Sequence, residues 1–369
     1  MNLIRLKIQS SHEWYYQTIE RLKFNHRCPT FSSSTLTELF VNVDVSDDLL
    51  YLLDGRFNQL HTLHVTVHFL DESSESIRKE KLINLKSFSL TCRLEVLFYD
   101  ETLVPLLHRM SHLEKLFLNV CIERNIPDEP FIDGNNLMNN IINYIPTLDK
   151  FAFSIHSNID HSNHLLQLPS NDDIQHTFKD FQEYQVVSYI HYLPESKMSQ
   201  CHIYSYPYYM DSLYRLTNSF PGGLFEFVHK VYLFDEQPFE HEFFLRIAHA
   251  FPCLKTLLID NDSSQKYKQD PQSNGNDQNF KIIKYPSLNV LILNCSHEDY
   301  LEQFLNSNKT CLLNQIKLDV DYTTLQTVTH NFTRTLTQIN CKKITFIYDI
   351  SKYNIPEHFY NYFPHIEEL

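Results

Sequence analysis

Glycine is nearly absent from this chain, with 5 among 369 residues. Dinucleotide-binding folds and phosphate-binding loops use glycine where the backbone turns sharply or approaches a phosphate. The sequence has no Gly-x-Gly-x-x-Gly, Gly-x-x-x-x-Gly-Lys-Ser/Thr, Gly-x-Ser-x-Gly or His-Glu-x-x-His motif. We therefore expect no cofactor, no bound metal and no catalytic activity.

Long apolar runs and an excess of basic residues are also lacking. No stretch approaches ~18 consecutive apolar residues, and the opening MNLIRLKIQSSHEW lacks the apolar core and cleavage site of a signal peptide. Lysine and arginine number 31 against 45 aspartate and glutamate, a net charge of −14. Because phosphate-rich surfaces attract basic proteins, we expect no nucleic-acid or membrane partner. The lack of a signal peptide and of long apolar runs predicts a cytoplasmic or nuclear location.

Paired metal ligands are a third absence. The 8 cysteines are spread singly, without a Cys-x-x-Cys pair, so we expect small buried apolar side chains rather than disulfides or a zinc site. His241 and Glu242 come nearest to a zinc-protease motif. The next histidine, His249, lies too far along the chain to complete it.

A short apolar pattern recurs along the chain: one apolar residue, two variable residues, a second apolar residue, one variable residue and a third apolar residue. Leu36-Leu39-Val41, Leu60-Leu63-Val65 and Leu113-Leu116-Leu118 are examples. The second apolar residue falls at positions 6, 39, 63, 88, 116, 151, 231, 257, 291, 316, 344 and 369. Most intervals are close to the length of roughly 20–29 residues typical of leucine-rich repeats.

Segments of helical periodicity lie between these patterns, and several follow an acidic capping residue. They span residues 100–110, 133–145, 211–220, 240–251, 298–305, 323–337 and 356–363. A strand, turn, helix and turn cannot bury their apolar face alone, so neighbouring units must stack. We predict an α/β leucine-rich-repeat solenoid: a right-handed β-α superhelix with a parallel sheet on its concave face and helices on its convex face.

This solenoid is predicted to be a single domain over residues 1–369, with two irregular places. Within 155–225, the β-prone runs 186–192 and 201–206 indicate either a hairpin-like irregularity or two degenerate repeats. The polar, turn-rich run 261–279 is predicted to be a disordered surface loop.

The repeats themselves resemble a known family. SHLEKLFLNV, YIPTLDKFAFSI, FPCLKTLLID and YPSLNVLILN resemble repeats of F-box/leucine-rich-repeat proteins. Stretches such as YLLDGRFNQLHTLHV, VPLLHRMSHLEKL and LFDEQPFEHEFFLRIA are more closely similar to F-box-like repeat proteins of bdelloid rotifers. The resemblance implies the substrate-binding part of a ubiquitin-ligase receptor. The chain opens within a repeat, LIRLKI, so contact with the ligase adaptor is expected only if an F-box lies upstream.

Strand alternation predicts which side chains line the concave face, because residues beside the second apolar position point away from the helices. Aromatic and aliphatic side chains mixed with lysines at such positions are typical of a protein-binding surface. The predicted protein-binding residues are Lys115, Phe117, Asn119, Lys150, Ser154, Lys230, Tyr232, Phe234, Leu258, Asp260, Ile292 and Asn294.

The sequence thus favours a non-catalytic scaffold that binds a protein target on its concave face. We expect Phe117, Tyr232 and Phe234 to anchor the target and the three lysines to pair with its acidic groups. A stand-alone repeat protein that binds or inhibits a partner, with no ubiquitin-ligase role, is the alternative. An enzyme would instead need a buried polar cluster with strongly shifted pKa values in a pocket.

Overall fold

The computed structural model describes residues 4–8, 21–24, 32–71, 80–124, 131–161, 168–181, 185–266 and 281–367. It contains two compact units. The first comprises Met1–Tyr192 and Ser196–Pro207, and the second comprises Leu193–Glu195 and Tyr208–Leu369. Most of the predicted loop at 261–279 lies outside the described residues.

The first unit is built on one sheet of eight strands, in the order β1-β2-β3-β4-β5-β6-β8-β7. These are β1 (Arg5–Ile8), β2 (Glu38–Val43), β3 (Thr62–Val67), β4 (Ser87–Val96), β5 (Lys115–Glu123), β6 (Lys150–Asp160), β7 (Gln185–Leu193) and β8 (Met198–Tyr206). Its helices are α1 (Ser46–Leu52), α2 (Val104–His108), α3 (Gly134–Asn140) and α4 (Asn171–His176), with a π-helical turn at Tyr99–Leu103 and a 3-10 turn at Ile142–Tyr144.

Strands β1 to β6 are parallel, and the apolar pattern sets their register. The marker residues are successive cross-strand partners: Leu6, Leu39, Leu63, Phe88, Leu116 and Phe151. Their side chains point inward, and all but the half-buried Leu6, which packs against the others, form a single buried cluster with Leu49 of α1, Leu106 of α2 and Leu137 of α3. The face on which Phe40, His64 and Phe117 lie is therefore the opposite one, called the outer face below.

The second unit holds a six-stranded parallel sheet in the order β16-β15-β13-β11-β10-β9, and a two-stranded sheet of β12 and β14. Its strands are β9 (Ser212–Leu216), β10 (Lys230–Phe234), β11 (Thr256–Asn261), β12 (Ile283–Tyr285), β13 (Val290–Ser296), β14 (Thr310–Leu312), β15 (Ile316–Asp319) and β16 (Ile344–Ile347). Its helices are α5 (His241–Ala250), α6 (Glu298–Leu305), α7 (Tyr322–Val328), α8 (Thr335–Cys341) and α9 (Phe359–Tyr362), with a 3-10 turn at Ile350–Lys352.

One backbone hydrogen-bond pattern recurs at the start of the strands in both units. A carbonyl oxygen just before a strand accepts two successive N–H groups from the next repeat, at N···O distances of 2.7 to 3.1 Å. The accepting residues are Ile4, Thr37, His61, Lys86 and Glu114 in the first unit and Asp211, His229 and Lys255 in the second. The chain therefore enters successive strands in the same way, which explains the matched register.

The prediction of an α/β protein with mostly parallel sheets is confirmed. The leucine-rich-repeat solenoid over residues 1–369 stays a prediction. Within 155–225 the structure has the hairpin alternative, since β7 and β8 are adjacent and β8 runs antiparallel to β6.

The helix predicted at 211–220 is wrong, because β9 is a strand. Leu213 and Leu216 have helical spacing, yet they are the cross-strand partners of Val231 and Leu233, which are two residues apart. A bulge absorbs the extra residue, and Arg215 within it has a φ of 52°. An apolar spacing of three therefore fits a bulged strand as well as a helix.

Two other predicted helices are shorter than expected. The segment 323–337 contains nearly all of α7 and the start of α8, separated by a turn in which His330, Asn331 and Phe332 have positive φ. In 356–363 only Phe359–Tyr362 is helical. Four of the seven described cysteines are buried and three are half-buried, so the prediction of buried cysteines holds for about half of the set.

Candidate protein-binding faces

The outer face of the first unit brings three predicted residues together. Lys115 and Lys150 are direct cross-strand partners on β5 and β6, and Phe117 lies two residues further along β5. The Lys150 Nζ atom lies 5.6 Å from the centroid of the Phe117 ring, within the range of a cation–π contact. Lys115 is exposed, while Phe117 and Lys150 are half-buried. Both the apolar ring and the ammonium groups are therefore accessible to a partner.

The same face carries an aromatic group that was not among the predicted binding residues. Phe40 on β2 stacks on His64 on β3, with ring centroids 4.5 Å apart and planes 6° apart. The Arg5 guanidinium lies over the Phe40 ring, 4.8 Å from its centroid, and pairs with Glu38 at 3.3 Å. Burial lowers the pKa of His64. The signal was present in the sequence, because Phe40 and His64 occupy the same position in successive repeats.

Asn119 and Ser154 are corrections to the predicted binding face. Their relative exposures are 3% and 0%, so neither offers surface to a partner. They lie on the outer face as strand alternation requires, but this part of the face is covered. The Oγ atom of Ser154 lies 2.9 Å from Nε2 of His202 on β8. Strand alternation predicts the face to which a side chain points, but it does not predict whether other residues bury that side chain.

In the second unit the outer face carries two aromatic residues of β10, and each contacts a charged side chain. The Tyr232 hydroxyl donates a hydrogen bond of 2.8 Å to Oδ2 of Asp260 on β11. The guanidinium of Arg215 lies 4.4 Å from the centroid of the Phe234 ring. Tyr232 is buried, whereas Phe234 and Lys230 are half-buried. Of the two predicted aromatic anchors in this unit, Phe234 is therefore the accessible one.

Asp260 is an acidic group on this face. Burial raises the pKa of its carboxyl, and repulsion by Asp262 acts in the same direction. The hydrogen bond from Tyr232 and the charge of Arg215 lower the pKa and partly offset these effects. A further hydrogen-bond donor or cation beside Asp260 would therefore stabilise its carboxylate form.

The remaining predicted residues of this unit differ in exposure. Leu258 and Ile292 are buried, so they support the face rather than contact a partner. Asn294 is exposed and forms a hydrogen bond with Asp319, although burial and the charge of Asp349 keep the pKa of Asp319 raised. The register between β11 and β13 shifts next to Asn294, since Leu258 pairs with Ile292 and Asp260 with Cys295.

The histidines near α5 do not form a metal site. His241 is buried, with Nδ1 3.2 Å from Oε1 of Gln303 and Nε2 3.1 Å from the carbonyl oxygen of Lys281. His249 is exposed and lines a shallow groove of about 290 Å³ with Arg246, Gly222 and Gly223. Among the described residues, no three histidine, cysteine or acidic side chains come together as metal ligands.

The comparisons add no relatives. The chain matches no family model, no curated protein and no solved structure. Within the described part of the chain, no helix combines the length and the apolar character needed to cross a membrane.

Proposed function

We propose that this chain is a protein-binding scaffold of the leucine-rich-repeat solenoid type. Its specific role is the substrate-recognition repeat region of an F-box-type ubiquitin-ligase receptor. The resemblance of the repeats to F-box/leucine-rich-repeat proteins suggests the ligase role. The protein-binding role rests on the outer faces of the two sheets.

Two repeated features support the fold part of this proposal. The apolar markers stay in register from β1 to β6 and from β10 to β13. The carbonyl that accepts two N–H groups recurs before the strands of each unit. A repeat that contacts only its neighbours produces this kind of regularity.

The observation that carries the binding role is the composition of the accessible outer-face positions. Half-buried aromatic rings at Phe40, Phe117 and Phe234 each lie beside a cationic side chain. Polar residues are typical of these positions on a solvated sheet that binds no partner, whereas binding hot spots are rich in aromatic residues and arginine. We place the anchors of the target at these rings.

The proposal does not include catalysis. Ser154 and His202 have the spacing of a nucleophile and its base, with 2.9 Å between Oγ and Nε2. Both side chains are fully buried, so a substrate has no access to the hydroxyl. We interpret this contact as part of the packing between β6 and β8.

Affinity capture with the complete gene product tests the proposal. Proteins recovered from the source cells would be quantified by mass spectrometry for the wild type and for Phe117→Ala and Phe234→Ala. The matched control is Phe227→Ala, because Phe227 is 54% exposed and precedes β10 rather than lying on the outer face. We expect a target whose recovery falls at least tenfold in an outer-face variant and stays unchanged in the control.

The ligase adaptor separates the two versions of the proposal. Recovery of the adaptor together with the target supports the receptor role. A target without the adaptor supports a stand-alone scaffold or inhibitor. If no recovered protein depends on Phe117 or Phe234, the outer faces are not the binding surface and the proposal fails.

A further inference from the structure

A row of ring-bearing residues crosses the outer face of the first unit and is interrupted at β4. Phe40, His64, Ser89 and Phe117 are successive cross-strand partners on β2, β3, β4 and β5. The first two rings come from neighbouring strands and stack with their planes 6° apart. Their flat faces are therefore directed along the row, from strand to strand. The row has one gap, which lies above the small side chain of Ser89.

The gap has the width of one flat ring. Neighbouring strands lie about 4.8 Å apart, so the backbones of β3 and β5 are about 9.6 Å apart. A ring that keeps a carbon–carbon distance of about 3.5–4 Å to a wall on each side needs about 7–8 Å. One ring inserted above Ser89 would therefore continue the stack from His64 to Phe117, and a second ring would not fit.

The floor and the walls of the gap are accessible. Ser89 and Ser87, its neighbour on the same face of β4, are half-buried, and their hydroxyl groups form no hydrogen bond within the described part of the chain. Phe40 stacks on His64 from the β2 side, and Lys150 approaches Phe117 from the β6 side. Both contacts lie away from β4, so they do not occupy the sides of the two rings that border the gap.

A cation lies beside the gap. Lys115 is the cross-strand partner of Ser87, two residues from the row of rings, which corresponds to about 6.7 Å along the strand. Lys115 is exposed and forms no ion pair with a described residue. Lys150 faces it directly on β6, and like charges opposite one another on neighbouring strands repel. On a chain with a net charge of −14, this local pair of lysines favours an anionic partner group.

We propose that the gap above Ser89 receives an aromatic side chain of the target, and that an acidic residue close to it in the target pairs with Lys115. This inference rests on the protein-binding role proposed above and adds the chemistry of the partner. The partner is an extended segment in which an aromatic and an acidic residue lie within two positions of one another, because two residues of extended chain span about 6.7 Å. The inserted ring gains both burial and stacking between His64 and Phe117.

Selection from a random peptide library on the immobilised full chain tests this inference. We expect the peptides selected by the wild type to share an aromatic residue with Asp or Glu within two positions. Ser89→Phe fills the gap with a ring of the protein itself, so binding of the selected peptides should weaken about tenfold or more. Ser89→Ala leaves the gap open and should bind like the wild type. His112→Phe is the matched control, because it adds a ring at an exposed position before β5.

Two further readouts separate a filled gap from a failure to fold. A ring that completes the stack has favourable neighbours on both sides, so the urea midpoint of Ser89→Phe should be no lower than that of the wild type. Lys115→Glu changes an exposed side chain and reverses the charge beside the gap. This variant should select peptides that keep the aromatic residue and carry a basic residue in place of the acidic one.

Several results would overturn the inference. They are selected peptides without an aromatic residue, no selected peptide at all, unchanged binding or a lowered urea midpoint in Ser89→Phe, and an unchanged acidic preference in Lys115→Glu. The proposed function is tested separately, by recovery of the target in Phe117→Ala and Phe234→Ala. A target that depends on Phe117 but is recovered equally by Ser89→Phe would keep the binding role and reject the aromatic site.

Discussion

Two stretches of the outer face of the first unit lie side by side on one sheet and differ in burial. Near the start of β2 to β6 the outward side chains include half-buried Phe40, His64 and Phe117. Further along β6 and on β8 they include Ser154 and His202, which are fully buried and hydrogen-bonded to one another. The first stretch is available to a partner, and the second holds the hairpin in place. Strand alternation is the same in both stretches. Whether a residue there can contact a partner therefore depends on its burial and not on the alternation.

The largest expected effect is in the buried stretch. His202→Ala removes a buried ring and leaves the hydroxyl groups of Ser154 and Tyr189 without this partner. We expect a loss of about 3 kcal/mol in the free energy of unfolding at pH 7.5, measured by urea titration. His112→Ala should stay within about 0.5 kcal/mol of the wild type, because His112 is exposed. A loss in His202→Ala as small as that control would mean that the two stretches do not differ.

A smaller loss is expected in the accessible stretch. Phe40→Ala removes the ring that contacts both Arg5 and His64, but the ring is only half-buried. We expect about 1 kcal/mol lower unfolding free energy, which is a third of the His202→Ala effect. A loss equal to that of His202→Ala would show that Phe40 is a core residue and remove it from the binding surface.

Acid should separate the histidines of the two stretches. Burial is the main cause that lowers the pKa of His64, so its contribution to stability is present above pH 6.5 and is lost as the pH falls below that value. The ring is partly solvated, and we expect less than about 0.5 kcal/mol between pH 7.5 and pH 5.5. Urea titrations of His64→Gln and the wild type at both pH values measure the difference. If His64 contributed a larger loss of unfolding free energy between pH 7.5 and pH 5.5 than His202, the comparison of the two stretches would be reversed.

The smallest effect is expected at the cation on the accessible stretch. Lys150→Gln loses the contact with Phe117, whose ring lies 5.6 Å from Nζ in a solvated position. We expect a change of about 0.5 kcal/mol or less in unfolding free energy. Recovery of the target should fall more strongly if the ammonium group contacts the target, as we propose. Loss of stability with unchanged recovery would assign Lys150 to the fold alone.

The repeat pattern predicted much of the fold. The spacing of the apolar residues predicted the correct inward residue in β1 to β6 and in β10, β11 and β13. In β15 the pairing slips by two residues, since Leu291 pairs with Leu318 rather than Ile316. A slip of two preserves the face, so Lys317 and Asp319 still point outward.

The failures have a physical cause in each case. At β9 a bulge converts an apolar spacing of three into two, and local sequence does not separate this from a helix. The burial of Ser154 depends on β8, which follows about fifty residues later, so the local repeat contains no sign of it. Tyr232 is also buried, and its hydroxyl bonds to Asp260 in the next repeat, a contact that the spacing within one repeat does not predict.

Footprinting of the captured complex tests the central claim most directly. Hydroxyl radicals oxidise accessible aromatic rings, so the rates at Phe40 and Phe117 would be compared with and without the bound target. Tyr144, which is 52% exposed on the 3-10 turn after α3, is the reference within the same unit. We predict a several-fold slower oxidation of Phe40 and Phe117 and an unchanged rate at Tyr144. Protection of Tyr144 with unchanged rates at Phe40 and Phe117 would contradict binding through the outer face.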